Sequence, residues 1–495
     1  MLSFFKRTQP TSPTPRPKIF WGGIELDESE STGHFLCTGS PGSGKTIMMR
    51  VLMQSVLTHV GSGQDMRALV YDAKQDVLPI LHAFCRPACV KTLNPFDDRG
   101  VAWDIHRDIR EPRVAVEIAF TLIPPTQESQ PFFSDAARHL LCGVMLSFML
   151  SGVEWTFADL LRALRNRRHL KAILKRHPQT DEIVSCYFYD RRLLSNIMST
   201  LATKLMPFEP IAAAWDIAKE RVALEDWVRN EWILVLGNSE TSRTAINAVN
   251  RCLFKRASDL ALAQGESFTR RSWFIVDEAS EAGRLDGLVS LLKKGRSKGA
   301  CVAISFQSVS GLREASMYGQ YFTDEILGQI ANRFFGRVEC PETAEWESRM
   351  IGDQEVDQLT TSQTSGENSS STTTSTQPTT RRAVLPSQLM CVPPCNRANG
   401  LAGYFLLRSA GCFYAHFGGE EVFDEWLIAP DEHTPDFVPR DVRAQFLRRW
   451  TADEEARFAP PPPKRKLAAA PIAPDKRSSL SERLKKLDDL FPGAT

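Results

Sequence analysis

The spacing of apolar positions changes several times along the chain, and each change marks an expected element. Residues 1–17 are polar and proline-rich with no apolar period, so an unfolded lead is expected there. Ile19 to Leu26 reads as a small hairpin. His34-Phe35-Leu36-Cys37-Thr38 is a strand-like run, Ile47 to Leu57 has apolar residues at helical spacing, and Arg67 to Asp72 is a second strand that ends in an acid. This alternation is the βαβ rhythm of an α/β sheet. A helical pattern then runs through Ile123 and stops at Pro124-Pro125.

The next hundred residues change period altogether. Phe132–Leu150, Thr156–Arg176, Asp190–Met206 and Ile211–Ala218 all carry helical spacing, so residues 126–224 are expected to be an all-α insertion. Thr156 with Asp159 three residues on has the spacing of a capping box. Strand signals return at Trp232–Leu236, Arg271–Val276 and Ala300–Phe306, with a helix expected over 243–262. The α/β part therefore comprises 18–125 and 225–440, interrupted by the helical insertion. Residues 359–380 are mostly serine and threonine without an apolar period and are expected to be a mobile loop. Gly403–Leu407 and Cys412–Phe417 read as edge strands. Residues 441–495 read as a flexible basic, proline-rich tail whose end, Ser479–Phe491, has the spacing of a short amphipathic helix for docking on a partner.

Composition narrows the class without naming a chemistry. The 495 residues are 42% hydrophobic and 24% charged, enough to bury a core, and the formal net charge is +1. Any affinity for DNA or a membrane must therefore come from local patches. The longest apolar run, Leu140–Val153, is shorter than the ~20 residues a span requires and reads as a buried helix, and the N-terminus lacks the apolar core of a signal peptide. A cytoplasmic protein is expected. The eleven cysteines, including the Cys85/Cys89 and Cys391/Cys395 pairs, lack complete ligand sets and are read as free thiols.

The chemistry concentrates in two runs. Gly39-Ser40-Pro41-Gly42-Ser43-Gly44-Lys45-Thr46 is a complete phosphate-binding loop, set between a strand and a helix as such a loop must be. Its backbone N–H groups and the following helix N-terminus form a cradle for phosphate oxygens, which makes ATP with Mg2+ the expected ligand. Lys45 is assigned to the β/γ-phosphates and Thr46 to the metal. The second run, Trp273-Phe274-Ile275-Val276-Asp277-Glu278, is a buried strand ending in two acids. Asp277 is assigned to the magnesium ion and Glu278 to the general base that polarises the attacking water. Gln307, at the end of the next strand, is placed to sense the γ-phosphate or orient water. Arg296, in the basic turn before that strand, is a candidate finger for a neighbouring subunit's site, with Lys293, Lys294 and Lys298 either DNA contacts or ordinary surface charge. Asp72 either faces a ligand or caps its turn. Arg162, Arg165, Arg167, Arg168, Lys171, Lys175 and Arg176 lie along an apparent amphipathic helix, which is either a phosphate-binding face or a solvated one.

These residues together carry a resemblance. The phosphate loop, Tyr71-Asp72-Ala73-Lys74, Asn94-Pro95-Phe96-Asp97 with Trp103-Asp104, Pro131–Arg138, Val276–Ser280, Gly295-Arg296-Ser297-Lys298-Gly299, Phe306-Gln307-Ser308 and Cys340–Trp346 resemble the conjugative coupling proteins of type IV secretion systems, the TraD/TraG-like branch of the hexameric DNA-pumping ATPases. The resemblance covers roughly residues 20–430. It implies a RecA-like P-loop NTPase domain interrupted by an all-α domain, and homo-hexameric rings at the inner membrane. It also implies binding of the relaxase–DNA complex, delivery of single- or double-stranded DNA, and contact with inner-membrane secretion subunits. By the same resemblance Lys45, Thr46, Asp277 and Glu278 take the hydrolytic roles, Gln307 the sensor role and Arg296 the finger acting in trans. The chain departs from the family in two places. It carries no membrane-spanning helices ahead of the phosphate loop, so anchoring is expected either to come from another subunit or to be absent, and it has Asp72-Ala73-Lys74-Gln75-Asp76 where the family usually has Asp-Pro-Lys-Gly-Glu. Two other assignments use the same residues: a nucleotide-switched adaptor that recruits secretion substrates without pumping, and a related hexameric motor in defence or DNA processing.

Overall fold

The computed structural model describes residues 18–125, 131–239, 241–314, 316–366 and 369–459. The strands are β1 (Ile19–Trp21), β2 (Ile24–Leu26), β3 (Phe35–Thr38), β4 (Met66–Tyr71), β5 (Val90–Thr92), β6 (Ala102–Trp103), β7 (Arg221–Val222), β8 (Ile233–Leu236), β9 (Arg271–Val276), β10 (Ala300–Phe306), β11 (Asn332–Phe335), β12 (Asp353–Gly366), β13 (Ser369–Arg382), β14 (Leu401–Leu407) and β15 (Gly411–Phe417). Nine of them form one sheet in the order β15-β14-β11-β3-β10-β9-β4-β8-β5. From β11 to β5 all neighbours are parallel; β14 and β15 add an antiparallel end. The inner strands β3, β4, β8, β9 and β10 are buried at every position, which is why they read as unbroken apolar runs rather than alternating ones.

Two hydrophobic layers cover the sheet. One face packs against the helix Lys45–Leu57 that follows the phosphate loop, through Met48, Leu52 and Val56 against Phe35, Ala68 and Trp273. The other face is continuous with the helical insertion: Leu69, Leu234, Phe274 and Ile304 share one core with Leu140, Phe148, Leu160 and Ile197. Helix Phe132–Ser151 is the spine of that layer. It is long and apolar enough to cross a membrane by length and composition, yet it is mostly buried inside the protein. The end of the insertion is tied back to the α/β part where Arg221 and Val222 pair with Ala102 and Trp103, so the expected all-α segment also carries a short strand. Asp108, fully buried, locks this closure by accepting from Trp103 Nε1 at 2.7 Å and from the amides of Leu224 and Glu225 at 2.9 and 3.0 Å.

Three expectations need correction. The serine- and threonine-rich 359–380 segment is not an irregular loop. Residues 359–366 and 369–380 form the outer part of a two-stranded antiparallel ribbon, Asp353 facing Arg382 at its base, because threonine is a strong strand former even when no apolar period announces it. The helix expected over 156–176 is broken at Asn166, whose side chain accepts from the amides of Arg168 and His169 and starts a new helix, Arg167–Leu174. The expected tail does not begin at 441: residues 441–459 dock on the helical layer, with Phe458 2% exposed and stacked on Trp450, whose indole donates to Asp159 at 2.8 Å. The amphipathic segment at 479–491 and the lead at 1–17 lie outside the described residues. The hairpin Ile19–Leu26 and the Thr156–Asp159 capping box form as read.

Candidate nucleotide site

The phosphate loop leaves β3 at Thr38 and enters its helix at Lys45. Two of its glycines are obligatory on steric grounds. Gly39 has φ +146° and a Cβ there would lie 2.4 Å from Ser43 Oγ; Gly44 has φ +95° and a Cβ there would lie 2.2 Å from Leu401 Cδ1. The loop is braced from outside by the Ser40 amide donating to Arg337 O at 2.7 Å and the Cys395 amide donating to Gly42 O, also at 2.7 Å. Lys45 is buried, and its ammonium donates to the carbonyls of Gly39 and Ser40 at 2.6 and 3.2 Å. Burial lowers its pKa, opposed by the nearby charges of Glu278 and Asp277.

The two acids stand across the loop because β10 separates β3 from β9 and brings its own polar residues between them. Thr46 Oγ1 lies 3.4 Å from Asp277 Oδ2, and the Lys74 ammonium donates to Thr46 Oγ1 at 3.2 Å. Ser305, near the end of β10, donates to Asp277 Oδ1 at 2.5 Å and accepts from the Glu278 amide at 3.0 Å. Glu278 has φ +65°, a left-handed conformation that costs a non-glycine residue about 1–3 kcal/mol. Its carboxylate is fixed by Ser280 Oγ at 2.5 Å and Gln307 Nε2 at 2.8 Å. A hydroxyl and a carboxylate oxygen facing each other are a donor set that suits a hard divalent cation such as Mg2+.

Lys45, Thr46, Lys74, Asp277, Glu278 and Gln307 line one cleft of about 630 Å³, together with Arg243, Glu281 and Cys395, while Ser280 and Ser305 stand behind it. Gly42, Ser43, Gly44, Lys45, Thr46, Asp277, Glu278 and Gln307 are thus brought together as read from the sequence. Arg296 is not. It is exposed in the turn before β10, while Gln307 follows that strand's other end, about 20 Å away at the ordinary rise of a seven-residue strand. Sequence reasoning missed Ser305, Arg243, Glu281 and Cys395; of these only Ser305, two residues before Gln307 on the same strand, had a positional signal. Of the basic run in the insertion, Arg162 is 4% exposed and spent on Asp159 and Asp216, Arg165 pairs with Glu209, and Arg176 donates to the carbonyls of Arg457 and Phe458. Arg167, Arg168, Lys171 and Lys175 remain exposed. Asp72 caps its turn, accepting from the Asp76 and Val77 amides, and burial pushes its pKa up to about 6.

A parallel sheet with this loop at the end of one strand, paired acids at the end of another and a polar strand between them defines a P-loop NTPase fold, here with an all-α layer inserted. The model of the type IV secretion-system coupling protein DNA-binding domain matches residues 18–404, and the chain belongs to that family. It is 22% identical over 446 residues to the coupling protein TraD of Escherichia coli (strain K12), covering 88% of this chain and 59% of TraD, so the chain spans little more than half of that relative's length. Among solved structures, the unbound bacterial conjugative coupling protein TrwB is similar at a TM-score of 0.66, with 18% identity, 86% of this chain and 92% of TrwB covered. TrwB in complex with ADP and Mg2+ is similar at a TM-score of 0.65, again with 18% identity, covering 87% of this chain and 94% of that one. TrwB with the non-hydrolysable ATP analogue ADPNP is similar at 0.63 and 18% identity, covering the same shares of both chains.

Proposed function

We propose that this coupling protein binds ATP with Mg2+ and hydrolyses it to deliver a relaxase–DNA substrate to a type IV secretion channel. The observation that carries the reading is the closed set Lys45, Thr46, Asp277, Glu278 and Gln307 on one cleft, which supplies phosphate, metal and water sites at once. Lys45 and the loop amides hold the β/γ-phosphates; Thr46 and Asp277 hold the metal, which supplies charge neutralisation to the phosphates. Glu278 takes a proton from the water that attacks the terminal phosphorus, with Gln307 and Ser280 setting the angle of its carboxylate. Pure recruitment has no use for a base held in a strained conformation, so the adaptor reading is second.

The exposure of Arg296 away from its own cleft supports its action in trans, completing the site of the next copy in a homo-hexameric ring. The exposed Arg167, Arg168, Lys171 and Lys175 are the part of the helical layer available to single- or double-stranded DNA. The ring works at the cytoplasmic side of the inner membrane in contact with secretion subunits there. The test is steady-state ATPase activity with and without single-stranded DNA across a range of protein concentrations. Stimulation by DNA, a per-subunit rate that climbs with concentration, and loss of both in Glu278→Gln and Arg296→Ala are expected. Activity indifferent to DNA and concentration and intact in Arg296→Ala would remove the ring-motor reading.

A further inference from the structure

Arg243 is the first residue of the helix Arg243–Ala263 and lines the nucleotide cleft. There it forms an ion pair with Glu281, one turn beyond the catalytic acids. The backbone of Glu281 is held in place: its carbonyl accepts from Tyr71 OH and from Asn247 Nδ2, both at 3.2 Å. The Arg243 side chain, which lines the cleft, is 43% exposed and carries its guanidinium on a long stem. The cleft lining holds three cations, Lys45, Lys74 and Arg243, against three carboxylates, Asp277, Glu278 and Glu281. A balanced wall of this kind responds to the charge of what enters it.

We propose that Arg243 is a specificity-determining residue of the nucleotide cleft, acting in cis: it exchanges Glu281 for the terminal phosphoryl group of ATP and returns to Glu281 when the nucleotide is a diphosphate. A guanidinium matches a phosphoryl group with two parallel charged hydrogen bonds, and the terminal phosphoryl carries more charge than one carboxylate. A diphosphate ends one group short of Glu278 and leaves the ion pair undisturbed. The helix that begins at Arg243 lies against the helix Pro112–Leu122 and the Met206–Phe208 turn of the helical layer, so the exchange acts on the element that joins the cleft to that layer. The proposal rests on the cleft being the nucleotide site.

The experiment is equilibrium binding of ADPNP and of ADP to the full chain and to Arg243→Ala, Arg243→Lys, Glu281→Gln and Lys45→Ala. In Arg243→Ala the affinity for ADPNP falls roughly ten- to hundredfold, the range of one or two charged hydrogen bonds, while that for ADP moves less than about twofold. Arg243→Lys recovers part of the loss, and Glu281→Gln, which removes the competitor, tightens ADPNP alone. Equal losses for both nucleotides, or none, would overturn the proposal. If Lys45→Ala abolishes binding while Arg243→Ala changes nothing, the nucleotide cleft stands and Arg243 is only structural. If Lys45→Ala binds both nucleotides normally, the cleft assignment and the proposal fall together.

Discussion

Glu347, on the helix Pro341–Ile351, has its carboxyl wholly buried beside Thr38, the last residue before the phosphate loop. One oxygen accepts from the Thr38 hydroxyl; the other has no hydrogen-bond partner among the described residues. Burial pushes this acid from its ordinary 4.5 up to about 8, against the opposing hydrogen bond from Thr38, so at neutral pH it is protonated and uncharged. The folded protein then keeps a proton that the unfolded chain releases, and stability declines as pH rises from 4.5 to about 8, being full below that window. A shift of that size is worth on the order of 5 kcal/mol between its limits, at about 1.4 kcal/mol per pH unit. The perturbation is Glu347→Gln, which keeps the shape and cannot ionise. Urea unfolding of both proteins across this range should show the variant gaining on the wild type by about 1.4 kcal/mol per pH unit and levelling off above about pH 8. At the acid end the two should differ by under about 1 kcal/mol. A stability difference that stays flat with pH would mean that Glu347 is ionised in the folded protein and would refute the reasoning. There is a functional corollary: an ionised Glu347 would set a negative charge behind a loop built to hold phosphates, so nucleotide affinity should weaken above about pH 8 in the wild type and less in the variant.

Two further outcomes follow from packing. Gly44→Ala places a methyl 2.2 Å from Leu401 at a φ of +95°, so nucleotide binding measured by titration should be lost even where circular dichroism shows the fold intact. Phe458→Ala removes the ring that packs on Trp450 and Phe148; it should cost roughly 3–5 kcal/mol of docking and expose residues 441–459 to limited proteolysis, while ADP affinity is unchanged.

What the sequence disclosed and what it hid differ in physical kind. Lys45, Thr46, Asp277 and Glu278 were legible because each is fixed by a local strand-to-turn geometry that only a few sequences satisfy. The inner strands were legible because burial on both faces leaves unbroken apolar runs such as Phe274-Ile275-Val276. The strand Asn332–Phe335 was not, because two of its four residues are polar yet buried: Asn332 donates through its side-chain amide to Glu30 O at 3.3 Å, and Arg333 donates to the carbonyls of Ile330 and Leu327. The ribbon over 353–382 was hidden because hydroxyl side chains on both faces give no period to read. Arg162, read as part of either a phosphate-binding face or a solvated one, is neither, for a related reason: its two partners are Asp159 on its own helix and Asp216 on another, and only the folded chain brings both to it. Arg243, Glu281 and Glu347 belong to the same kind, since only the folded chain brings each to the group it faces.

The strand order explains why the site needs β10 at all. Were β3 and β9 direct neighbours, the phosphate loop and the paired acids would leave adjacent strands with little room between them. Inserting β10, whose Ser305 pairs with Cys37 and whose Ile304 pairs with Val276, spaces them by one strand and fills the gap with Ser305 and Gln307. One hydroxyl then positions both acids, donating to the Asp277 carboxylate and accepting from the Glu278 amide. The Glu278 backbone is held in its left-handed turn by that second bond, which offsets part of the strain of turning its carboxylate toward the cleft. Asp277, Glu278 and Gln307 are therefore all tied to the end of a single strand, and that strand begins at the turn carrying Arg296. A displacement of β10 along its axis would reach Ser305 and Gln307 directly, so the exposed turn that carries Arg296 and the paired acids share one rigid element.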